Sequence, residues 1–298
     1  MGQPDAGVLF VVATPIGHLG DLSHRGSEVL KQVQIVAAED TRRTAVLLDH
    51  IDHRAPELVS YHEHNKHKVT KVLIDRLIGG VDVALVSDAG TPLINDPGAE
   101  LVAAAHQAGV SSVPIPGASA LTAALSVCPF PCYPFRYIGF LPSKASARRK
   151  VLSTELASGD ALVFFEAPHR IVACLTDLAA GTVRRVMVAR ELTKKFETIT
   201  TVAADQLVSA AIEPRGEFVV VVEGDQDASA DDQEAERVIS SLLTYLAPSQ
   251  AAKCGAEILR RKKSDMYLSH KDFIIGMTDR QPDLSGASAA SPLQRASH

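Results

Sequence analysis

The residues best suited to chemistry lie in a polar loop, residues 87–98, with the sequence S-D-A-G-T-P-L-I-N-D-P-G. The loop follows an apolar run, residues 81–86, of the length and β-branched content expected for a strand buried in a parallel sheet. Open α/β sheets bind ligands in the crevice beyond the carboxyl ends of their strands. The loop therefore predicts a binding site. The alternative is that Asn95 or Asp96 only caps the next helix.

Two more polar turns follow apolar runs in the same way. They are residues 14–21, T-P-I-G-H-L-G-D, and residues 39–43, E-D-T-R-R. Because each turn lies at a predicted strand end, both are further candidates for the ligand-binding edge of the sheet. Capping of the next helix by Asp40 or Thr41 explains the second turn equally well.

The turn P-G-A-S-A leads directly into a predicted helix that begins near Ser119. The Ser119 hydroxyl and the free amide groups there can contact an anion or a carboxylate, or Ser119 can simply cap the helix. Together the turns offer many backbone groups and little charge, which suits a neutral or zwitterionic ligand. The sequence contains no G-x-G-x-x-G, G-x-x-x-x-G-K-[ST] or G-x-S-x-G. A dehydrogenase, a P-loop ATPase and a serine hydrolase are therefore disfavoured.

The elements that must position these turns alternate between strand and helix. This order predicts a first α/β domain, residues 1–116, with a doubly wound and mostly parallel sheet. Residues 117–224 predict a second α/β domain. Its sheet is expected to be mixed, because the alternating residues 196–202 favour antiparallel pairing with residues 216–223.

The end of the chain has a different composition. Residues 225–275 are predicted to form a linker, acidic and solvated over residues 225–236, and then a small helical extension. Residues 276–298 are rich in Ser, Ala, Pro and Gln, which predicts a disordered tail.

The overall composition is that of an ordinary globular protein. The 298 residues are 46% hydrophobic and 22% charged. No apolar run reaches the roughly 18 residues that a bilayer requires, and residues 1–7 do not resemble a signal peptide. The four cysteines are too scattered for a disulfide framework, so we expect a cytoplasmic protein without a membrane partner. His62, His64 and His67 lack cysteine partners and an H-E-x-x-H motif, so no metal is expected.

The formal net charge of −5 would repel a polyanion at a distance. A nucleic-acid partner would therefore have to be held by local basic patches. Runs of this kind can equally be solvated helix faces. The candidate residues are Arg42, Arg43, Lys144, Arg148, Arg149 and Lys194.

Seven stretches of the sequence together resemble the ribosomal RNA small-subunit methyltransferase I family of the tetrapyrrole methylase superfamily. The likeness extends from about residue 8 to residue 262. Beyond about Lys263 the sequence departs from the family's helical ending, which puts a module that helps to hold RNA in doubt. The matching stretches are residues 13–21, 37–44, 84–98, 114–125, 139–144, 189–194 and 216–224.

The resemblance implies a two-domain tetrapyrrole methylase-like fold with S-adenosylmethionine in the cleft between the domains. It implies methylation of the ribose 2′-oxygen of a cytidine in the decoding region of 16S rRNA, within the 30S subunit, by a homodimer. Position by position, the implied cofactor-binding residues are Pro15, Ile16, Gly17, Asp88, Gly90, Thr91, Pro92, Ile94, Ser119 and Ala120, with Phe165, Glu166 and Arg190 on the side of the second domain.

The implied reaction is an in-line displacement at a sulfonium methyl group, for which alignment supplies most of the acceleration. A base for the 2′-hydroxyl would add to it. Glu166 is our first candidate, although it can instead form an ion pair with Arg190. Glu39, Asp40 and Asp96 are the alternatives. If the basic residues named above surround one cleft, they would hold phosphates while a single-stranded or extruded nucleotide enters it.

Other functions remain open from the sequence alone. One is a C-methyltransferase of a tetrapyrrole precursor or a diphthamide-type methyltransferase, although such enzymes usually carry a G-x-G-x-G-D first turn where this chain has T-P-I-G-H-L-G-D. The other is a non-catalytic module that binds S-adenosylmethionine or RNA.

Overall fold

The computed structural model describes residues 6–53, 57–225 and 230–259. By its internal contacts the chain divides into two compact units, Met1–Asp225 and Gln226–His298, and both sheets belong to the first. The departure beyond Lys263 and the predicted tail at residues 276–298 lie outside the described residues.

The first sheet has five strands, and every neighbouring pair is parallel. Their order across the sheet is β3-β2-β4-β1-β5. The strands are β1 (Leu9–Val12), β2 (Ile35–Ala38), β3 (Glu57–Ser60), β4 (Val83–Val86) and β5 (Ser112–Ile115). The helices between them are α1 (His24–Gln32), α2 (Thr41–His50), α3 (Lys66–Ile78) and α4 (Ala99–Gln107).

Helices cover both faces of this sheet. Leu9 and Leu85 pack with buried residues of α3 and α4, whereas Val36 and Val86 pack with buried residues of α1 and α2. Successive strand residues point to opposite faces, so strands that are apolar throughout must be covered on both sides. The predicted doubly wound parallel sheet is confirmed.

The second sheet also has five strands, in the order β6-β7-β10-β8-β9. β6 and β7 are parallel, and the other neighbouring pairs are antiparallel, which confirms the predicted mixed sheet. The strands are β6 (Phe135–Phe140), β7 (Ala161–Glu166), β8 (Arg185–Arg190), β9 (Thr198–Ala203) and β10 (Phe218–Val222). The helices are α5 (Ala120–Ser126), α6 (Ala145–Leu156) and α7 (Ile171–Ala179).

The two faces of the second sheet have different coverings. Phe164 and Val188 pack with buried residues of α6 and α7. On the other face, Met187 and Val219 pack with α5 and with Ile16, which comes from the first turn of the chain. We call the parts of the chain built around the first and second sheets the first and second lobes. The two lobes are therefore joined through this second face.

The predicted pairing of residues 196–202 with residues 216–223 is wrong. β9 pairs with β8, from Arg185 opposite Ala203 to Arg190 opposite Thr198, while β10 lies between β7 and β8. β10 is buried at every position and so belongs in the centre of the sheet, whereas the half-exposed β9 forms its edge.

Two helices are described in the second unit, α8 (Ala230–Leu243) and α9 (Pro248–Ile258). They pack together around Ile239, Ala252 and Ala256. α8 begins at Ala230, so the stretch predicted as a linker is helical from that residue onward. In the described part of the chain, no helix is both long and apolar enough to cross a membrane.

Candidate active site

The turns that follow β1 and β4 are joined by paired backbone hydrogen bonds. Thr14 N–H donates to the Gly90 carbonyl at 2.8 Å, and Gly90 N–H donates to the Thr14 carbonyl at 3.0 Å. The buried Thr14 hydroxyl donates to the Ser87 carbonyl at 3.1 Å. Gly90 has a φ of 90°, a conformation that favours glycine. Because β1 and β4 are neighbours, their polar turns meet at the carboxyl edge of the first sheet.

The turn before α5 meets the same place. The Thr91 hydroxyl donates to the Ala118 carbonyl at 3.1 Å. A Cβ atom placed on Gly117 would lie 3.0 Å from Ala13 Cβ, so this turn passes close to the end of β1. Three of the four turns that the sequence singled out are thus brought together.

A loop of the second lobe, residues 191–197, approaches this group of turns. His18 N–H donates to Thr193 Oγ1 at 3.1 Å. A Cβ atom on Gly17 would overlap Lys194 Cγ and would lie 3.2 Å from the Leu192 carbonyl oxygen. Gly17 is therefore required by the close approach of two backbones rather than by a special φ angle.

A cavity of about 350 Å³ lies between the two lobes, and we call it the acidic cavity. The rings of Phe140 and Phe165 lie edge to face in it, with centroids 5.9 Å apart. Its charged lining consists of one guanidinium and five carboxylates, namely Arg43 with Glu39, Asp88, Asp96, Glu166 and Glu217. Such a lining suits a ligand that combines a flat ring with positive charge.

The carboxylates of the acidic cavity repel one another. Burial, followed by the negative charges of Glu39 and Asp88, raises the pKa of Asp96 to about 6 against the opposing effect of the Ser87 hydroxyl. Burial and the charge of Asp88 likewise raise the pKa of Glu39. A bound cation would relieve this repulsion, so the cavity favours a positively charged ligand. No cluster of His, Cys, Asp or Glu arranged for a metal ion occurs among the described residues.

A second cavity, of about 290 Å³, adjoins the first, and we call it the basic-rim cavity. Arg43 and Lys194 line it, together with Pro15 and Gly17 of the first turn and Val46 of α2. The wall shared by the two cavities is formed by Ile16, Arg43, Asp88, Ala89 and Glu217.

The residues implied to bind the cofactor divide into three groups. One group lines the acidic cavity, and Pro15 and Gly17 line the basic-rim cavity together with Ile16 and Asp88 of the shared wall. A third group shapes the turns. Gly90 is hydrogen-bonded to Thr14, Thr91 is hydrogen-bonded to Ala118, and Pro92 is buried. Ser119 precedes α5, and its side chain makes no capping hydrogen bond. The implied residues that line the acidic cavity are Ile16, Asp88, Ile94, Ala120, Phe165 and Glu166.

Arg190 lies outside the lining of both cavities. Its Nε donates to the Arg215 carbonyl at 2.6 Å, and its Nη2 lies 3.2 Å from Glu213 Oε2. The ion pair between Glu166 and Arg190, which was the alternative to a catalytic Glu166, therefore does not form. The register of the sheet explains the separation, because Glu166 and Arg190 lie on opposite sides of Phe218 in β10.

Glu166 is paired with Arg170 instead. Its side chain is fully buried, and Oε1 accepts hydrogen bonds from Arg170 Nε at 2.7 Å and from Ala167 N–H at 2.8 Å. The other oxygen, Oε2, is buried without a hydrogen-bond partner in the described part of the chain. Glu166 thus combines an ion pair with a position in the lining of the acidic cavity.

Among the other candidate bases, Glu39 and Asp96 line the acidic cavity, whereas Asp40 does not. Asp40 Oδ1 accepts the backbone N–H of Arg42 at 2.9 Å and caps α2. The bonded Arg42 side chain holds the pKa of Asp40 at about 2, well below its ordinary value. The position of Asp40 is thus explained by its capping of α2 rather than by a role in the acidic cavity.

The basic residues do not surround a single cleft. Arg43 and Lys194 line the basic-rim cavity, and the exposed Arg42 is paired with Asp40. Lys144, Arg148 and Arg149 belong to the start of α6, on the opposite face of the second sheet.

Arg148 is buried and bound to the protein itself. Its Nε donates to Asp177 Oδ2 at 2.8 Å, and Nη1 donates to the Ser143 carbonyl at 3.3 Å. Arg149 Nη1 lies 3.3 Å from the other Asp177 oxygen. The guanidinium of Arg148 is thus occupied within the fold and offers no face to a phosphate.

Several lining residues were missed by the sequence reasoning, among them Phe140, Leu192, Glu217 and Val46. The predicted antiparallel strand contained a signal for Glu217, since an antiparallel strand begins at the edge where its neighbours end. Phe218 does pair with both Glu166 and Arg190 at that edge. No comparable signal exists for Val46, because single exposed apolar residues on helices are common.

Comparisons with known proteins identify the family of this chain. Residues 8–208 match the family model of the tetrapyrrole (corrin/porphyrin) methylases. The chain is 48% identical over 269 residues to ribosomal RNA small subunit methyltransferase I of Xylella fastidiosa, covering 88% of this chain and 98% of the relative. The enzyme of that name from Pseudomonas aeruginosa is 45% identical over 271 residues, with coverages of 88% and 96%.

A solved structure shares the fold at much lower identity. Uroporphyrin-III C-methyltransferase from Thermus thermophilus, in complex with S-adenosylhomocysteine, is 16% identical with a TM-score of 0.53 and covers 73% of this chain and 97% of that one. The expected tetrapyrrole methylase-like fold is confirmed. With near-complete coverage of relatives that share almost half of its residues, the chain belongs to the ribosomal RNA small subunit methyltransferase I family of the tetrapyrrole methylases.

Proposed function

We propose that the protein transfers the methyl group of S-adenosylmethionine to the ribose 2′-oxygen of a cytidine in the decoding region of 16S rRNA. Its family makes it an S-adenosylmethionine-dependent rRNA methyltransferase. The methylated atom, the nucleotide and the region are the proposal. The acidic cavity at the junction of the lobes is the observation that supports the cofactor, and the resemblance supports the atom, the nucleotide and the region.

The lining of the acidic cavity fits this cofactor. Five carboxylates face a cofactor whose sulfonium and ammonium groups are positive, and Phe140 with Phe165 offers aromatic surface for its adenine. When bound, the cofactor supplies an electrophilic methyl group. The protein's own task is to hold that methyl in line with the acceptor oxygen and to exclude water, and such alignment is worth up to about 7 to 11 kcal/mol.

The base that accepts the 2′-hydroxyl proton is proposed to be one of the carboxylates of the acidic cavity. Asp96 is favoured over Glu166, because Glu166 is held by Arg170, whereas the pKa of Asp96 is about 6. The negative charge of Asp88, which lies in the shared wall, also raises the pKa of Asp96. An Asp96→Asn variant should lower kcat at saturating cofactor by about 10² to 10⁴. A kcat equal to that of the wild type would exclude Asp96 as the base.

The resemblance supports the partners, and the four scattered cysteines support the compartment. We propose that the substrate is the RNA of the 30S subunit and that the enzyme acts as a homodimer in the cytoplasm. Sedimentation of the purified protein tests the dimer. A parallel assay of naked 16S rRNA and 30S subunits tests which form of the RNA is methylated.

The decisive experiment uses S-adenosylmethionine labelled in its methyl group and 30S subunits that lack the modification. Nucleoside analysis of the recovered RNA should give labelled 2′-O-methylcytidine at one site. Label on a base, or on a porphyrinoid or protein offered in parallel, would replace the proposal by another methyltransferase activity. Cofactor binding without transfer to any of them would indicate a non-catalytic module.

A further inference from the structure

We infer that the basic-rim cavity receives the acceptor nucleotide, with its phosphate beside Arg43 and Lys194 and its base against Leu19 and Val46. This inference rests on the proposed function and deepens it. It assigns a site for an RNA nucleotide to a surface built from the first turn, α2 and the loop after β8.

Charge decides which of the two adjoining cavities holds which reactant. Five carboxylates and one guanidinium line the acidic cavity, whereas two carboxylates and two cations line the basic-rim cavity. A polyanion entering the acidic cavity would meet strong repulsion, and a cationic cofactor would be attracted there. The basic-rim cavity, whose two cations balance its two carboxylates, therefore repels a phosphate less than the acidic cavity does.

The shared wall places the two ligands as methyl transfer requires. Reacting atoms must approach to about 3 to 3.5 Å before transfer, so the two binding sites must abut. Ile16, Asp88 and Ala89 contribute to both linings. A ligand in each cavity would therefore meet at these residues.

The rim of the basic-rim cavity offers apolar surface for a base. Val46 is 59% exposed and Leu19 is 37% exposed, although both line the cavity. Val46 follows Arg43 by three positions in α2, so both side chains project from the same face of the helix. An apolar surface beside a cation is the combination that an unstacked nucleotide uses.

Lys194 reaches the same cavity from the second lobe. Its ammonium group lies 3.0 Å from Glu191 Oε1 and 3.1 Å from Glu217 Oε2. These two carboxylates hold the ammonium at the shared wall and engage two of its three donors. The third donor is available to a phosphate oxygen that enters beside Gly17.

The test is to fill the basic-rim cavity by placing a larger side chain at its rim. Val46→Trp should lower transfer of labelled methyl to unmodified 30S subunits about 100-fold, because a misplaced acceptor loses in-line geometry. Binding of S-adenosylmethionine, measured by calorimetry, should stay within about twofold of the wild type, since Val46 does not line the acidic cavity. Leu19→Trp fills the cavity from the first turn of the chain and should have the same effect.

Val72→Trp is the matched control, because Val72 lies on α3, is 54% exposed and lines neither cavity. It should transfer methyl groups at the wild-type rate. Thermal unfolding of each variant establishes that it is folded. Normal transfer by both rim variants, or an equal loss by the control, would overturn the assignment. Loss of cofactor binding by the rim variants would assign the cavity to the cofactor instead. A wild-type protein that does not label 30S RNA would overturn the proposed function itself.

Discussion

Arg43 and Asp88 face each other in the wall between the two cavities, with Nη1 3.4 Å from Oδ2. The other Asp88 oxygen accepts the backbone N–H of Asp40 at 2.9 Å. One carboxylate therefore joins the loop after β4 to the start of α2. A change at Asp88 is expected to affect both ligand sites, which distinguishes it from changes at the rim.

Replacement of Asp88 by Asn should weaken cofactor binding about tenfold, because a negative charge is removed from the acidic cavity while its shape is kept. Calorimetric titration with S-adenosylmethionine measures the effect. Asp49→Asn is the control, since Asp49 is an exposed aspartate in the last turn of α2. An unchanged affinity of the Asp88→Asn variant would show that this carboxylate does not contribute to cofactor binding.

Cofactor affinity should depend on pH through Asp96, whose pKa is raised to about 6 by burial and by Glu39. A bound sulfonium favours the ionised carboxylate, so binding below this pKa releases a proton. The affinity should therefore rise with pH up to about 6 and remain level above it.

Titrations between about pH 5 and pH 8 measure this dependence. S-adenosylhomocysteine lacks the sulfonium charge and should show a smaller change. The Asp96→Asn variant should lose most of the dependence. If that variant kept the full pH dependence, another group would be responsible for it.

The ion pair of Glu166 predicts a loss of stability rather than of chemistry. Glu166→Gln leaves the half-buried Arg170 guanidinium without a compensating charge, and this should lower the free energy of unfolding by about 2 to 4 kcal/mol. Denaturant unfolding measures the change.

The control for Glu166 is Glu63→Gln, which removes a carboxylate that is 68% exposed and paired with Lys66. Its effect on stability should be much smaller than that of Glu166→Gln, because solvent screens an exposed ion pair. A Glu166→Gln variant with normal stability but greatly reduced kcat would instead restore Glu166 as the first candidate for the base.

Apolar runs and turn-forming residues were sufficient to predict the strands and the three polar turns of the site. The partner of β9 was not predictable in this way, because the choice between β8 and β10 depends on which strand must be buried on both faces. The ion pair of Arg148 could not be predicted for a similar reason. Its partner, Asp177, lies on a different helix, and a run of basic residues contains no information about such a partner.

The reason for a glycine at position 17 could not be predicted from the sequence either. Gly17 was assigned to a ligand loop from its turn chemistry, yet the reason for a glycine there is the approach of Lys194 and the Leu192 carbonyl from the second lobe. Contacts between residues so far apart in the chain are set by the docking of the two lobes, which local sequence patterns do not specify.

Gly17→Ala should reduce methyl transfer at least about tenfold, because the added Cβ would overlap Lys194 Cγ and crowd the Leu192 carbonyl. The lysine side chain can move, but the carbonyl oxygen at 3.2 Å belongs to the backbone, so the loop after β8 must shift and carry Lys194 away from the basic-rim cavity. Single-turnover transfer to 30S subunits measures the effect. Gly181→Ala is the control, since its nearest neighbours would lie 3.6 Å from the new Cβ. Normal transfer by Gly17→Ala would mean that the separation of the lobes at this point does not control the reaction.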